Sequence, residues 1–527
     1  MEVAVAIKSF NAELHGPARR RELFSINPQR LCAWARVNRQ AATRVLKIST
    51  MPHGLKERLR WPDLYSEAEF YKAAVRTYTK PIFNWRKALI SSSDEKTLHD
   101  LAGKGLRGLD AIHRELRARR FHFRPGLALH RNFNGKHRTL YIYPWEERIV
   151  DLLLYRILNS VLHHWFSPFS FAYRDRTYGL DCCQSAVARA IRGSSAPVYI
   201  AKRDVADFFA SINHSILLAQ LRPLIAEGDY LWDLLCERIR FRCFDEGEER
   251  VAECGVPFGT AIACMLANIY LTELDRKVCA QDVAYFRYAD DLLLLSRDRG
   301  ALLAAREKLD DGLAELKLES KPAHQLDVVL SATPVLDNAL VYANKFRHLG
   351  LEFRANGSVG LSRDKVRKIR NLFRFAFRRA RARLRRAPQP EGRAGLAAQI
   401  AAQVLARGIR NVAIVDYYLT HVDDEQQLRH LDRWLAEEVL SLAYGGHRKG
   451  NFRKLSYAQL RAMGLPSLVH RRRLIAHGKI EAPFFIWKQQ QSQRSGKGMV
   501  ARRRARPSEA AFASFSPHPE AAAQKSS

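Results

Sequence analysis

Two adjacent aspartates lie between two short apolar segments near the middle of the chain. Tyr288-Ala289-Asp290-Asp291 follows the apolar residues 284–286 and precedes Leu292–Leu295. Apolar runs that flank a short polar pair are typical of a β-hairpin, so we expect the aspartates at its turn. An isolated Asp-Asp pair is usually a solvated turn. Here the flanking strands look buried on both faces, and burial beside two carboxylates costs free energy unless cations neutralise them, which favours a cation site.

A second acidic segment, Lys202–Ile212, contains Asp204, four positions after the end of the predicted strand Val198–Ile200. Nucleotidyl transfer requires two divalent ions about 3.5–4 Å apart, held by several carboxylate oxygens that converge on one point. An aspartate that ends one strand beside an Asp-Asp turn supplies such oxygens. We therefore expect Asp204 to meet Asp290 and Asp291, although Asp204 precedes Asp290 by 86 positions.

The charge of the chain indicates a polyanionic partner. Its 527 residues include 87 Lys and Arg against 54 Asp and Glu, a formal net charge of +33. Phosphate contacts release counterions, so nucleic acid is the leading candidate. A membrane partner is not expected, because the basic residues are spread through the chain and no apolar run reaches the roughly 20 residues needed to cross a bilayer. The N-terminus places apolar residues before basic ones, unlike a secretory signal, and the eight cysteines form no CxxC pair; both features favour a cytoplasmic protein.

Composition and periodicity divide the chain into four parts. Residues 1–110 are expected to be a helical N-terminal extension, with helices over Leu31–Leu46 and Glu67–Tyr78 and a helix start at Ser91–Asp94. Residues 111–355 mix strands with helices. Residues 356–480 are helical and basic, and residues 481–527 form a basic tail expected to be disordered.

Specific elements follow from the same patterns. The predicted strands are Thr139–Ile142, Val198–Ile200, Ala284–Arg287 and Leu292–Ser296. Apolar residues at three- and four-residue intervals predict one long basic helix over residues 362–386, with Val366, Ile369, Phe373, Ala376, Ala380 and Leu384 on its inner face. The segment Pro388–Gly395 is expected to break it before a second helical block, 396–442.

Several segments resemble the motifs of reverse transcriptases, in the order that this family has them. Tyr288–Asp291 resembles the YxDD box, and Asp204–Phe209 resembles the first catalytic motif. Four letters occur by chance in many proteins, but further family motifs match Arg138–Pro144 with Glu147–Val150, Phe166–Arg174, Gly255–Gly259 with Leu266–Leu271, Leu316–Lys321 and His348–Leu351. The resemblance covers residues 120–355 and is specific because the motifs are ordered.

The resemblance implies an α/β right-hand polymerase, with fingers and palm around an antiparallel sheet in residues 111–355 and a helical thumb after them. It implies an RNA-directed DNA polymerase that adds deoxynucleotides with two Mg²⁺ ions, Mn²⁺ being an alternative. The metal ligands would be the carboxylates of Asp204, Asp290 and Asp291 and the carbonyl of Val205. Asp207 occupies a variable position, and we interpret it as a surface or structural acid.

The same resemblance assigns further residues to the substrates. Phe209 would lie under the sugar and exclude a 2′-hydroxyl, and Lys321 would protonate the leaving pyrophosphate. The other assignments are Lys136 and Arg138 on the triphosphate, Gly255 and Pro257 in the loop beside the incoming base, and Leu349 and Gly350 at the primer end. Alternatives remain: Phe209 as a core residue, Lys136 and Arg138 as general basic surface, and a different role for Lys321, since Leu316–Lys321 departs from the usual spacing.

The type of reverse transcriptase is indicated by what accompanies the motifs. No segment after the palm resembles RNase H, an integrase or a Cys/His nuclease. Leu266–Leu271, with Pro144 and Arg148, resembles bacterial enzymes related to group II intron maturases. Similar stand-alone chains are the defence-associated "unknown group" reverse transcriptases, so antiphage defence is one hypothesis. A group II intron-like maturase or an RNA-binding scaffold is the alternative, and template-independent or protein-primed synthesis is a third possibility.

The implied partners are an RNA template (a noncoding RNA in particular), the DNA product and deoxynucleoside triphosphates. A second copy of the chain or a partner protein is also compatible with the sequence.

Overall fold

Strands of three β-sheets alternate with helices in the computed structural model, which describes residues 58–79, 91–103, 105–133, 136–163, 165–174, 178–192, 197–279, 283–407 and 414–480. The predicted helix Leu31–Leu46 and the tail from residue 481 lie outside these ranges. In chain order the strands are β1 (Gly126–Phe133), β2 (Lys136–Ile142), β3 (Val198–Asp204), β4 (Arg242–Asp245), β5 (Glu248–Val251), β6 (Ala284–Tyr288), β7 (Asp291–Ser296), β8 (Leu326–Leu330), β9 (Val341–Ala343), β10 (Lys345–His348), β11 (Leu351–Arg354) and β12 (Val359–Leu361).

The helices fall between and after these strands. In chain order they are α1 (Trp61–Leu64), α2 (Glu67–Thr79), α3 (Leu98–Gly103), α4 (Gly105–Arg117), α5 (Trp145–Leu162), α6 (Leu180–Ile191), α7 (Phe208–Ser211), α8 (His214–Leu221), α9 (Tyr230–Ile239), α10 (Ala261–Tyr270), α11 (Thr272–Cys279), α12 (Arg299–Glu315), α13 (Arg363–Arg379), α14 (Arg381–Arg386), α15 (Pro390–Arg407), α16 (Ile414–Leu419), α17 (Glu425–Tyr444), α18 (Asn451–Lys454), α19 (Tyr457–Ala462) and α20 (Leu468–Ala476).

The five-stranded sheet has the order β6-β7-β3-β8-β9 and is antiparallel except for the edge pair β8–β9. Both of its faces are covered: Leu292 and Leu294 of β7 pack into one hydrophobic core, and Leu293 and Leu295 pack into the other. Burial on both faces explains why β7 is a continuous apolar run without polar alternation. The first core contains α5, α8, α10 and α12, and the second contains α6, α13, α15 and α17.

The α/β region contains all four predicted strands, each within β2, β3, β6 or β7. β2 belongs to a second sheet of order β2-β1-β4-β5, and Phe258 accepts a hydrogen bond from the backbone of Tyr141 in β2. The helix predicted over Glu67–Tyr78 is confirmed as α2. The helix start predicted at Ser91–Asp94 is wrong: those residues form a turn, and α3 begins at Leu98 after Thr97, which exchanges hydrogen bonds with Asp100.

The basic helix predicted over 362–386 is two helices, α13 and α14, which meet at Ala380. Ile369, Phe373 and Leu384 are buried as expected, and Phe377 is also buried. The predicted break over Pro388–Gly395 is too long, because proline is tolerated at the first position of a helix and α15 begins at Pro390. In the described part of the chain, no helix combines the length and the apolar character that crossing a bilayer requires.

Candidate active site

Asp204 and Asp291 are direct partners across two neighbouring strands. Asp204 ends β3, Asp291 begins β7, and the antiparallel register pairs their Cα atoms. Asp290 precedes Asp291 in the turn of the β6–β7 hairpin, where Tyr288 pairs with Asp291. The structure therefore brings the three predicted carboxylates to one end of the five-stranded sheet.

The turn itself is held in an unusual backbone conformation. Ala289 has a φ of 60°, in the left-handed region that non-glycine residues seldom adopt. The carbonyl of Asp290 accepts a hydrogen bond of 3.2 Å from the backbone N–H of Val205. The hairpin turn and the end of β3 are thereby joined through the backbone, which fixes the position of Asp290 relative to Asp204.

A buried charge network lies beneath this turn and was not anticipated from the sequence. The guanidinium of Arg287 donates to Asp275 at 2.7 and 2.6 Å, to Asn268 at 3.0 Å and to the carbonyl of Ala289 at 3.4 Å. Tyr285 donates to the same carboxylate at 2.8 Å. In the sequence alone, Arg287 before the Asp-Asp turn could not be distinguished from the many other basic residues of this strongly cationic chain. Asp275 and Asn268 lie on α11 and α10, and only the fold brings them to the turn.

Lysines neutralise two of the three carboxylates. Lys321 Nζ lies 2.6 Å from Asp204 Oδ1 and 2.9 Å from the carbonyl oxygen of Val205, and Lys202 Nζ lies 3.1 Å from Asp291 Oδ2. Burial alone would raise the pKa of Asp291, but His348 and Lys202 hold it below its usual range. Burial raises the pKa of Asp290, and the neighbouring charges of Asp204 and Asp291 add to the increase.

His348 is a neighbour of the site that sequence reasoning placed only within a motif. Its ring is fully buried, and Nδ1 lies 3.4 Å from Asp291 Oδ1 without hydrogen-bond geometry. The ring stacks on Phe346. A buried histidine against a carboxylate at this position connects strand β10 directly to the acidic end of the sheet.

These residues fit a divalent cation by their chemistry. Among the described residues no three Asp, Glu, His or Cys side chains are grouped as in a formed metal site. However, the ammonium of Lys321 lies where Asp204 Oδ1 and the Val205 carbonyl converge, and both oxygens are predicted metal ligands. Three carboxylates and a carbonyl form the all-oxygen donor set that Mg²⁺ and Mn²⁺ prefer. A divalent cation therefore fits between these oxygens once the ammonium of Lys321 moves away from them.

Aromatic side chains line the adjoining space. The ring of Phe209 lies 5.0 Å from that of Phe258 and 6.1 Å from that of Tyr173, between ring centroids. The exposed guanidinium of Arg138 lies 5.6 Å from the Phe258 ring. Phe209 is half-buried, whereas Asp207 is exposed and belongs to the surface.

The loop at Gly255 and Pro257 packs directly on α7. Gly255 has a φ of 81°, and a Cβ there would lie 2.9 Å from the carbonyl oxygen of Ala210 and 3.0 Å from that of Phe209. The backbone N–H of Val256 donates to the Phe209 carbonyl at 2.8 Å. Only glycine permits this approach. Pro257 is buried and precedes Phe258, so the loop that contacts α7 also carries one ring of the Phe209–Phe258 pair.

Leu349 and Gly350 form the turn between β10 and β11. Both have a positive φ, 49° and 81°, as a tight two-residue hairpin turn requires. The side chain of Gln184 donates to the Leu349 carbonyl at 2.8 Å, and the backbone of Ser362 donates to the Gly350 carbonyl at 3.1 Å. The turn is thus fixed from α6 and from the start of α13. Lys136 is the first residue of β2.

Comparison with known proteins agrees with this geometry. Residues 130–352 match the family described as "Reverse transcriptase (RNA-dependent DNA polymerase)". Protein YkfC of Escherichia coli (strain K12) is 25% identical over 228 residues, which cover 35% of this chain and 58% of YkfC. A protein named "Uncharacterized 91 kDa protein in cob intron", of Schizosaccharomyces pombe, is 24% identical over 227 residues, covering 42% of this chain and 27% of that protein.

A third relative and one solved structure complete these findings. The "Putative COX1/OXI3 intron 1 protein" of Saccharomyces cerevisiae is 24% identical over 181 residues, covering 34% of this chain and 21% of that protein. The structure of apo telomerase from Candida tropicalis, truncated from its C-terminal domain, aligns with a TM-score of 0.36 and 12% identity over 46% of this chain and 55% of that chain. The chain thus spans little more than half of YkfC and about a quarter of the two intron proteins.

The match to the reverse transcriptase family therefore covers residues 130–352, which contain Asp204, Asp290 and Asp291. The predicted fold class, a right-hand polymerase with an antiparallel sheet at its centre, is confirmed by the family match and the sheet order. The predicted relationship to group II intron-type proteins is confirmed by relatives that are named for introns.

Proposed function

We propose that this protein is an RNA-directed DNA polymerase whose catalytic carboxylates are Asp204, Asp290 and Asp291. One observation carries the proposal: Asp204 and Asp291 are strand partners, and Asp290 lies in the adjoining turn, within a reverse transcriptase domain. Three half-buried carboxylates at one end of a sheet repel one another. Their placement there favours a catalytic role.

The proposed reaction is attack of a primer 3′-hydroxyl on the α-phosphorus of a deoxynucleoside triphosphate. The 3′-hydroxyl releases its proton to solvent water, a new P–O bond forms to the 3′-oxygen, the bond to the bridging oxygen breaks, and pyrophosphate leaves. Lys321 is the proposed proton donor to pyrophosphate, after its ammonium leaves Asp204. Arg138 and Lys136 would bind the triphosphate, for which an arginine fork is well suited.

We assign two divalent ions to the site, Mg²⁺ in the first place and Mn²⁺ as a substitute. They would be held by the three carboxylates and the carbonyl of Val205. When bound, they would stabilise the charge that develops on the attacking oxygen and on the leaving pyrophosphate. The raised pKa of Asp290 supports this assignment, because a buried carboxylate among other carboxylates gains most from a neighbouring cation.

The substrate preferences follow from the residues around the carboxylates. Phe209 is proposed to select deoxynucleotides by excluding a 2′-hydroxyl, with Gly255 and Pro257 holding the loop behind it. Leu349 and Gly350 are proposed to hold the primer end. This proposal is supported by the contact of His348, the residue before them, with Asp291.

Antiphage defence in the bacterial cytoplasm is the biological role we propose, with a noncoding RNA as the template. The motif context that resembles stand-alone bacterial enzymes supports it. A group II intron-like maturase or RNA-binding scaffold is the second candidate, favoured by the net charge of +33 and by relatives named for introns. Both roles are compatible with a homo-oligomer and with a complex that includes a partner protein.

Primer extension on an RNA template tests the polymerase. Wild type is expected to incorporate deoxynucleotides, Asp290→Asn/Asp291→Asn is expected to lose this activity, and Asp207→Asn is expected to retain it, since Asp207 is exposed. Synthesis that persisted in the double variant would refute the proposal.

Phage challenge of cells that carry the same variants separates the two biological roles. Protection that requires the carboxylates supports defence by DNA synthesis. Protection or splicing that survives the double substitution favours the scaffold.

A further inference from the structure

A strongly basic groove lies outside the proposed active site, between α13, α17 and the β10–β11 hairpin. It encloses 540 Å³. Its cationic wall consists of Lys345, Arg363, Arg367, Arg370 and Arg374, and Glu352 is the one carboxylate among the described residues that line it.

The arginines of α13 form one continuous face. Arg363, Arg367, Arg370 and Arg374 are spaced by four, three and four residues, the interval that aligns side chains along a helix. Arg367 pairs with exposed Asp364, and Arg374 pairs with Glu438 on α17. Arg363 and Arg370 form no ion pair with a described residue. The groove therefore keeps uncompensated positive charge.

Arg370, at the wall of the groove, has one donor atom without a hydrogen-bond acceptor in the described part of the chain. Its guanidinium carbon lies 5.3 Å from the centre of the Trp434 ring, and its Nε is buried without a partner among the described residues. The covered Nε is out of reach of a ligand in the groove, but the charge of the guanidinium has no counter-ion among the described residues. A phosphate at the groove wall would compensate that charge.

The groove is distinct from the primer position. Lys365, on another side of α13, approaches Gly350 at the hairpin tip, where an added Cβ would lie 2.5 Å from Lys365 Cε. Lys345 lies at the opposite end of strand β10 from His348, about 10 Å away at the rise of a β-strand. One hairpin thus contacts Asp291 at its tip and the groove at its base.

We propose that this groove binds the phosphodiester backbone of single-stranded RNA that is not part of the primer–template hybrid. Its volume of 540 Å³ lies in the range of small-ligand sites, about 300–1,000 Å³, which suits a short stretch of a single strand. Exposed Asn371 and His430 line it beside the arginines and offer hydrogen bonds to a ribose 2′-hydroxyl. The proposal does not depend on catalysis, so its failure and that of the polymerase proposal are distinguishable.

Fluorescence anisotropy with a labelled single-stranded RNA 12-mer tests the groove, using the full chain with unlabelled RNA–DNA hybrid at saturation to fill the cleft. Arg363→Gln/Arg370→Gln is expected to raise the Kd by at least tenfold. The slope of log Kd against log salt concentration should fall by about 1.4, the value for two lost phosphate contacts on a single strand. Primer extension on a short hybrid should remain at the wild-type rate.

Arg429→Gln/Arg433→Gln is the matched control, because it removes the same charge from exposed positions on α17 that pair with Glu425 and Glu437. It should change the Kd by less than twofold. Arg363→Gln/Arg367→Gln tests the groove without disturbing the packing on Trp434, and both of these side chains are exposed. Thermal unfolding verifies that each variant is folded.

Three outcomes would overturn the proposal. The groove variants could bind RNA as the control does. A DNA 12-mer of the same sequence could bind as tightly as RNA and lose as much affinity in the variants, which would remove the assignment to RNA. The variants could keep RNA binding but lose self-association in sedimentation, which would make the groove a protein interface.

Discussion

The guanidinium of Arg287 and the carboxylate of Asp275 form a doubly hydrogen-bonded ion pair in which both side chains are fully buried. The pair joins β6 to α11, and Arg287 also donates to the carbonyl of Ala289. The aspartate turn therefore rests on a buried charge pair, which fixes it more rigidly than apolar packing alone.

Asp275→Asn is expected to destabilise the protein strongly. The substitution leaves the buried charge of Arg287 uncompensated, which costs about 3–5 kcal/mol. Denaturant unfolding of the variant measures this loss. Arg433→Gln, which breaks an exposed pair with Glu437, should change stability little. Equal stability of Asp275→Asn and wild type would contradict the structural role of the pair.

Stability is also expected to depend on pH through Glu147. Burial raises the pKa of Glu147 to about 7, despite a hydrogen bond of 2.7 Å from Arg124. A raised pKa in the folded state means that the folded protein binds the proton more tightly than the unfolded chain. The stabilisation is therefore complete below the ordinary pKa near 4.5 and is lost as the pH rises through 7.

Between pH 5 and 8, wild type should lose roughly 2–3 kcal/mol relative to Glu147→Gln, which does not titrate. Urea unfolding at both pH values measures the difference, with Glu146→Gln as the control at the adjacent carboxylate. A constant difference between wild type and Glu147→Gln would show that Glu147 stays ionised throughout.

Much of the site was predictable because its signals are local. The β6–β7 hairpin, the end of β3 and the glycine loop at Gly255 are each encoded within a few residues, and ordered family motifs connect them. The convergence of Asp204 with Asp290 and Asp291 was a hypothesis about distant segments, and it depends on the β3–β7 ladder, which pairs Asp204 with Asp291. Only the fold specifies the contacts of Lys321 with Asp204 and of His348 with Asp291, because each joins segments that are far apart in sequence.

Errors in the fold prediction have equally local causes. Periodicity continued through Ala380, although the chain changes direction there, since the apolar spacing is nearly the same in α13 and α14. Proline and glycine in Pro388–Gly395 indicated a loop, but Pro390 occupies the first turn of α15, where its missing N–H costs nothing.

Phe209→Ala is expected to weaken discrimination against ribonucleotides. Removing the ring opens the space beside Phe258 that a 2′-hydroxyl would need. The ratio of kcat/KM for a deoxynucleotide to that for the matching ribonucleotide should fall by about 10-fold or more. Phe375→Ala, which truncates an exposed ring on α13, is the control. An unchanged ratio would assign Phe209 to the core.

Lys321→Ala is expected to increase the response of the protein to Mg²⁺. The ammonium of Lys321 binds two of the oxygens proposed to hold the ion, so its removal ends that competition. The rise in Tm from chelator to saturating Mg²⁺ should be larger in the variant than in wild type. Asp207→Asn should match wild type. A variant that loses the Mg²⁺-dependent rise would show that Lys321 supports the ion.

Titration with Mn²⁺, followed by electron paramagnetic resonance, tests most directly whether Asp204 and the Asp290–Asp291 turn hold the same cations. Asp204→Asn and Asp290→Asn should each abolish the tight sites of wild type, whereas Asp207→Asn should keep them. If Asp204→Asn retained every ion that Asp290→Asn loses, the two segments would not share a site, and the proposed catalytic centre would be wrong.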